Sequence, residues 1–167
     1  MNLAEFVEKY GEPFSETLGI NLASMRNTEI VKWFLASILY SKPIRENLAT
    51  STYKVFEVQG VLSADKVLER GWSGLVQLLD EGGYVRYDFS TATKLLSVFG
   101  ALKKNYDSDI WRIHDVSKDS QDLEKRLKAL GKGIGDTTVS VFLRDLRTLT
   151  PQFLGNICCA SRPILTM

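Results

Sequence analysis

Three glycines alternate with a lysine and an isoleucine in Gly131-Lys132-Gly133-Ile134-Gly135. This spacing leaves several backbone N–H groups with no side chain above them. They lie just before a helix N-terminus, whose free N–H groups and dipole favour an anion. The chemistry on offer is the clamping of one phosphate. A clamp made of backbone alone positions DNA without reading its sequence. Lys132 adds a charge to the same surface, and Ile134 is the apolar residue that can plug the turn between its helices. The same five residues also suit a plain turn. A nucleotide-binding loop is the weaker reading, because neither G-x-x-x-x-G-K-[ST] nor G-x-G-x-x-G is present and no strand precedes the glycines.

Two short amphipathic helices must carry this turn. Leu123, Leu127 and Leu130 fall at i, i+4, i+7 on one helical face. Gly131 is expected to end that helix in the left-handed conformation open to glycine. Val139, Phe142, Leu143 and Leu146 form a second stripe at i, i+3, i+4, i+7. Asp145, on this second helix, is the last acid in the chain and is expected to pair at the surface with Arg144 or a nearby lysine.

Other residues with chemical potential are scattered. Tyr84, Arg86 and Tyr87 cluster at a turn, where rings can stack on bases but more often anchor packing. His114 beside Asp115 reads as structural or solvent-facing, in a connecting segment. Cys158 and Cys159 are neighbours, cannot form an ordinary staple, and cannot supply the four ligands of an iron–sulfur cluster. No metal site is expected from them.

Upstream, apolar periodicity predicts more helices. Leu3, Phe6, Val7 and Tyr10 share a face, and residues 14–26 read as a loop or broken helix. Asn27 and Thr28 are expected to cap a helix over residues 28–40 with a wide stripe from Ile30 to Leu39, the most buried of the chain. Pro43 is a favoured first-turn residue for a helix to about residue 58. Two short helices follow at 63–70 and 73–80, then a long one from Asp88 or Ser90 to about Tyr106. The expected core includes Phe34, Leu35, Ile38, Leu96, Phe99, Phe142 and Leu143. No convincing alternating strand occurs, so the fold class is all-α.

The 167 residues carry a net charge of +1, so any basic surface must be local. Residues 121–147 hold Lys125, Arg126, Lys128, Lys132, Arg144 and Arg147 against Asp122, Glu124, Asp136 and Asp145, a mild excess. No run approaches the roughly 20 apolar residues of a membrane span. The expectation is a cytoplasmic protein without membrane contact, a nuclear location being equally open in a cell that has one.

Leu130 to Val139, LGKGIGDTTV, resembles the helix-hairpin-helix of the endonuclease III-like DNA glycosylase superfamily. There the pattern is Leu-Pro-Gly-(Val/Ile)-Gly-x-(Lys or other)-Thr-Ala before an apolar helix. GGYVRYDFSTATKLLSVFGAL (residues 82–102) looks like that family's loop and long helix, and the likeness covers residues 28–147. The resemblance implies a multi-helix barrel over 28–147, flanked by an N-terminal helix and loop (1–27) and a C-terminal tail (148–167). It implies double-stranded DNA as partner, with Gly131, Lys132, Gly133, Ile134, Gly135, Thr137 and Thr138 at the DNA. Lys42 and Arg45 stand at the corner that faces the gap left by a flipped base, where a glutamine and an acid are usual. A monovalent cation at the hairpin is compatible with the pattern.

Such an enzyme flips a base into a pocket and stabilises positive charge on the sugar, usually with an aspartate beyond the hairpin. Here that position falls near Gly155. The Schiff-base lysine of bifunctional members aligns with Thr137, which has no amine. Asp145 comes too early to replace the aspartate. Neither catalytic group is at its expected place, and the family's four-cysteine iron–sulfur cluster is absent; no cofactor is expected. Three readings stand: a monofunctional glycosylase-like base excision repair protein, a non-catalytic DNA-binding relative, and a helical protein-interaction module.

Overall fold

The computed structural model describes residues 13–149, with side chains through Leu146. The expected N-terminal helix face, Gly155, Arg147 and the Cys158–Cys159 pair lie outside the described side chains. Among the described residues there are eight α-helices, two short 3-10 turns and no strand. They are α1 (Phe14–Thr17), α2 (Asn27–Tyr40), α3 (Glu46–Val58), α4 (Ala64–Glu81), α5 (Asp88–Tyr106), α6 (Ile110–Val116), α7 (Ser120–Lys128) and α8 (Asp136–Leu149). The all-α expectation is met.

Helix α2 is the axis. Ile30 to Leu39 are buried except Lys32, so the helix is enclosed on nearly every side, as an almost uninterrupted apolar run requires. It packs on α3, α6 and α8, while α4 and α5 form the closest helix pair of the fold. The Phe34 ring meets Phe99 of α5 edge-on at 6.0 Å and Phe142 of α8 at 5.1 Å. Trp33 is fully buried, and its indole N–H donates to the Phe142 carbonyl at 2.9 Å. A buried indole donor left unpaired would cost about 1–3 kcal/mol, so this bond fixes α8 against α2. The expected core holds, with Leu96 only half-buried at its edge.

Several local expectations are revised. Asn27 does not cap α2; it is the first helical residue. Its amide instead donates to the Ser108 carbonyl at 2.9 Å and accepts the Ile110 N–H at 3.0 Å, tying α2 to the start of α6. A long-range use of a short-range capping residue leaves no trace in local spacing. Helix α3 begins at Glu46 rather than Pro43, because Arg45 is extended (ψ 138°) and Ile44 closes a tight turn on the Lys42 carbonyl at 2.8 Å. The segment around His114 is a helix, α6, started by Asp109, whose carboxylate accepts the Trp111 N–H. The two short helices at 63–80 are the arms of α4, bent at Gly71.

Candidate nucleic-acid interface

The hairpin is built from the end of α7. That helix stops at Lys128, and Leu130 closes a last tight turn by donating to the Leu127 carbonyl at 3.2 Å. The chain then reverses over residues 131–134, where the Ile134 N–H donates to the Gly131 carbonyl at 3.2 Å. Ile134 is buried as the plug of the turn, beside buried Leu130 and Thr138. The reversal corrects the role expected of Gly131: the left-handed residue is Gly133 (φ +96°), because α7 ends two residues before its apolar stripe does. Gly131 is required by a close approach instead. A Cβ there would sit 2.5 Å from Val98 Cγ2, so only a bare backbone lets the hairpin lie on α5.

Among the described residues, no backbone or side-chain acceptor takes the N–H groups of Gly131, Lys132, Gly133 or Gly135. The Val139 N–H donates to the Gly135 carbonyl at 3.2 Å, the first bond of α8, so the N–H groups of that helix's first turn also point outward without helical partners. Lys132, Gly133, Gly135 and Thr137 are exposed. Lys128 and Asp136 form an ion pair that joins α7 to α8. The hydrogen bond from Lys128 holds the Asp136 carboxyl below its ordinary pKa. The acid at the head of α8 is thus already neutralised by a neighbour.

Lys94 of α5 lies over this hairpin, and sequence reading missed it. The residue is only 8% exposed, and its Cε and Nζ stand 2.9 and 3.6 Å from where a Cβ of Gly133 would be. No described carboxylate pairs with it. Burial and then the charge of Lys42 push its amine down to about 8. A signal was present: Thr91, Lys94, Leu95, Val98 and Leu102 share the buried face of α5, and no acid stands three or four residues from Lys94. A lysine inside an apolar stripe with no local counter-ion is the signal by which the sequence could have singled it out.

The α2–α3 corner completes the surface. Lys42 is near enough to Lys94 for its charge to be felt there, and its Nζ lies 5.2 Å from the Tyr87 ring centroid. Arg86 lies over the same ring at 5.6 Å. A groove of about 340 Å³ runs beside it, lined by Pro43, Ile44, Arg45, Asn47, Leu48, Gly83, Tyr84, Arg86 and Tyr87. Two arginines and no carboxylate line it. The aromatic cluster at residues 84–87 divides: Tyr84 is a core anchor, buried with its hydroxyl donating to the Leu39 carbonyl at 2.6 Å, while half-buried Tyr87 faces the cations.

Asp145 is not a surface residue. It is 1% exposed, accepts the Ser15 backbone N–H at 3.1 Å and the Arg144 Nε–H at 3.2 Å, and so ties α1 to α8. Arg144 in turn lies 4.9 Å from the Phe14 ring centroid, and Phe14 stacks on Tyr40. The pairing with Arg144 occurs, but α1 covers it. His114 contacts Asp115 at 3.3 Å and packs edge-on against Trp111. Thr138 is buried, so of the two expected threonine contacts only Thr137 reaches the surface.

Among the described residues no group of three or more His, Cys, Asp or Glu side chains could hold a metal, and no helix is long and apolar enough to cross a membrane. Comparison of the chain with protein-family models, with curated proteins and with solved structures finds no match.

Proposed function

We propose that this chain binds double-stranded DNA through its backbone, with the hairpin clamping one phosphate and the α2–α3 corner facing the duplex beside it. The observation that carries the reading is the convergence of the glycine hairpin, its free N–H groups and a set of cations that no acid neutralises. Lys42, Arg45, Arg86, Lys94 and Lys132 come from four separate chain segments, and none makes an ion pair among the described residues. Phosphate contacts dominate DNA affinity, and a surface of this kind suits them without a large net charge on the whole protein. Together with the resemblance of residues 28–147 to endonuclease III-like glycosylases, this favours a base excision repair role on a barrel of that type.

Within that role, binding without catalysis has specific support. Thr137 offers no amine at the Schiff-base position, and Asp145 is buried and held by Ser15. The chain then acts as a DNA-binding relative that senses or shields sites rather than releasing bases.

The test is fluorescence anisotropy of a labelled duplex across a salt series, with wild type and Gly135→Leu. A Cβ at Gly135 meets nothing within 4 Å, so the larger side chain fits the fold and occupies the approach of a phosphate. Losing one charge-assisted bond, worth about 1.5–3 kcal/mol, lowers affinity roughly ten- to a hundredfold. Duplex affinity that ignores salt would point to the protein-interaction reading instead. A panel of duplexes with single modified bases, scored for base loss after alkali, separates glycosylase from non-catalytic binder.

A further inference from the structure

We infer that Lys94 is the charged ligand of a discrete oxyanion site, in which one phosphate group is held between its amine, the hairpin N–H groups at residues 131–135, and Lys42. The inference rests on the DNA-binding reading for the source of the phosphate, but its geometry stands apart from it.

A lysine that is 92% buried normally has a carboxylate or a set of carbonyls on its ammonium. Lys94 has neither among the described residues. The element beneath it, α5, offers Ser90, Thr91, Ser97 and Val98 at the neighbouring helical positions, none of them acidic. The facing element is the hairpin, whose one charged residue is Lys132. The third element, the α2–α3 corner, presents Lys42. The nearest acid of the hairpin, Asp136, is committed to Lys128. Lys94 therefore has cations and uncharged groups around it and no carboxylate. An isolated arrangement of that sort is costly, and an anion is the species that relieves it.

The backbone supplies the rest. Gly133 is left-handed, and its missing side chain is the space that Lys94 fills, so the amine lies beside the turn that carries the free N–H groups. Three kinds of donor then converge: an ammonium from a helix wall, backbone N–H groups from a turn, and the positive end of α8. A phosphodiester or inorganic phosphate, whose oxygens sit on a tetrahedral phosphorus, reaches donors that lie out of one plane; the two oxygens of a carboxylate are coplanar. Binding moves Lys94 toward its protonated form, since the anion offsets both burial and Lys42. Proton uptake thus accompanies phosphate binding when the pH lies near 8.

The experiment is NMR of the full chain with lysine side chains labelled at Cε, titrated with inorganic phosphate and followed from pH 6.5 to 10. Phosphate is expected to shift the Lys94 signal selectively and to raise its titration midpoint, while Lys54 and Lys66, paired with Glu57 and Glu69, serve as controls and stay put. In parallel, Lys94→Met is expected to lower duplex affinity about tenfold or more and to reduce the salt slope by about one. A Lys94 signal that moves no more than those of Lys54 and Lys66 overturns the site. So does Lys94→Met protein, folded by its amide spectrum, that binds duplex like wild type. A Lys94 shift with phosphate but no duplex binding by wild type keeps the anion site and removes the DNA reading. Duplex binding with an unmoved Lys94 does the reverse.

Discussion

Replacing Lys94 by methionine should make the protein more stable. The change keeps the unbranched stem that lies against Gly133 and removes the charge. In the fold the amine is lowered from 10.5 to about 8, first by burial and then by Lys42. Each pKa step of one corresponds to about 1.4 kcal/mol, so the protonated lysine costs the fold about 3 kcal/mol at pH 7. Lys94→Met should recover about that amount, a rise in melting temperature of about 6–12 °C for a chain of this size. The gain must depend on pH. Between pH 8 and 10.5 the unfolded chain still holds the lysine proton while the folded one has released it, so wild-type stability rises through that window and the mutant's advantage shrinks. Buried Tyr53 and Tyr84 act in the opposite direction above pH 10, because burial raises both phenols and the fold keeps protons that the unfolded chain loses. The useful quantity is therefore the difference between wild type and mutant, measured by urea unfolding at pH 7 and pH 9.5. A difference that does not change between those two values would refute the argument, and so would a mutant less stable than wild type at pH 7.

The three hairpin glycines should respond differently to alanine. Gly133→Ala meets both a left-handed backbone and Lys94 Cε, and should cost roughly 1–2 kcal/mol, whereas Gly135→Ala should stay within about 0.5 kcal/mol by thermal melting. Gly131→Ala should be the worst of the three, since its methyl would overlap Val98. Asp145→Ala leaves the buried Ser15 N–H without an acceptor and should cost about 1–3 kcal/mol, with faster hydrogen exchange at Ser15 as the local readout. Borohydride added to the protein on an abasic duplex should give no covalent adduct, because Thr137 lacks an amine and a phosphate-bound Lys94 is protonated. An adduct lost in Lys94→Met, or in Lys132→Met on the exposed hairpin, would show a nucleophilic lysine instead.

The helices themselves were legible because each buries one face, and Val139, Phe142, Leu143 and Leu146 or Ile30 through Leu39 announce that face by spacing alone. The hairpin was legible for a similar reason: its glycines are local. What sequence did not disclose is where distant segments meet. Asp145 reads as an exposed partner of Arg144 until α1, about 130 residues away, covers it. Asn27 reads as a cap for its own helix but serves α6, more than 80 residues on. Gly131 and Gly133 were both assigned to the turn, yet the contacts with Val98 and Lys94 that divide their roles are long-range. Of the two cations at the α2–α3 corner, Arg45 lines the groove, while Lys42 lies over the ring of Tyr87 beside it. Lys94 carried a visible anomaly, a charge in an apolar stripe, whose meaning depends on a hairpin nearly 40 residues downstream.

The Phe34 ring, wedged between Phe99 and Phe142, would make recognition at the proposed site a property of the folded whole. The lysine half of the proposed anion site rides on α5 and the amide half leads into α8, and these helices are set relative to each other through a side chain of α2. The hairpin's own turn can form early from near neighbours, but it holds only one wall of the site. The second wall arrives when the aromatic core closes, at the cooperative step of folding. If the proposed site exists, a peptide of the hairpin alone would lack it, and so would any partly folded state with α5 detached, even while its local helices persist. On the proposed reading, a phosphate ligand would stabilise only the closed state, so hydrogen exchange would slow in α2, α5 and α8 together rather than in the loop alone.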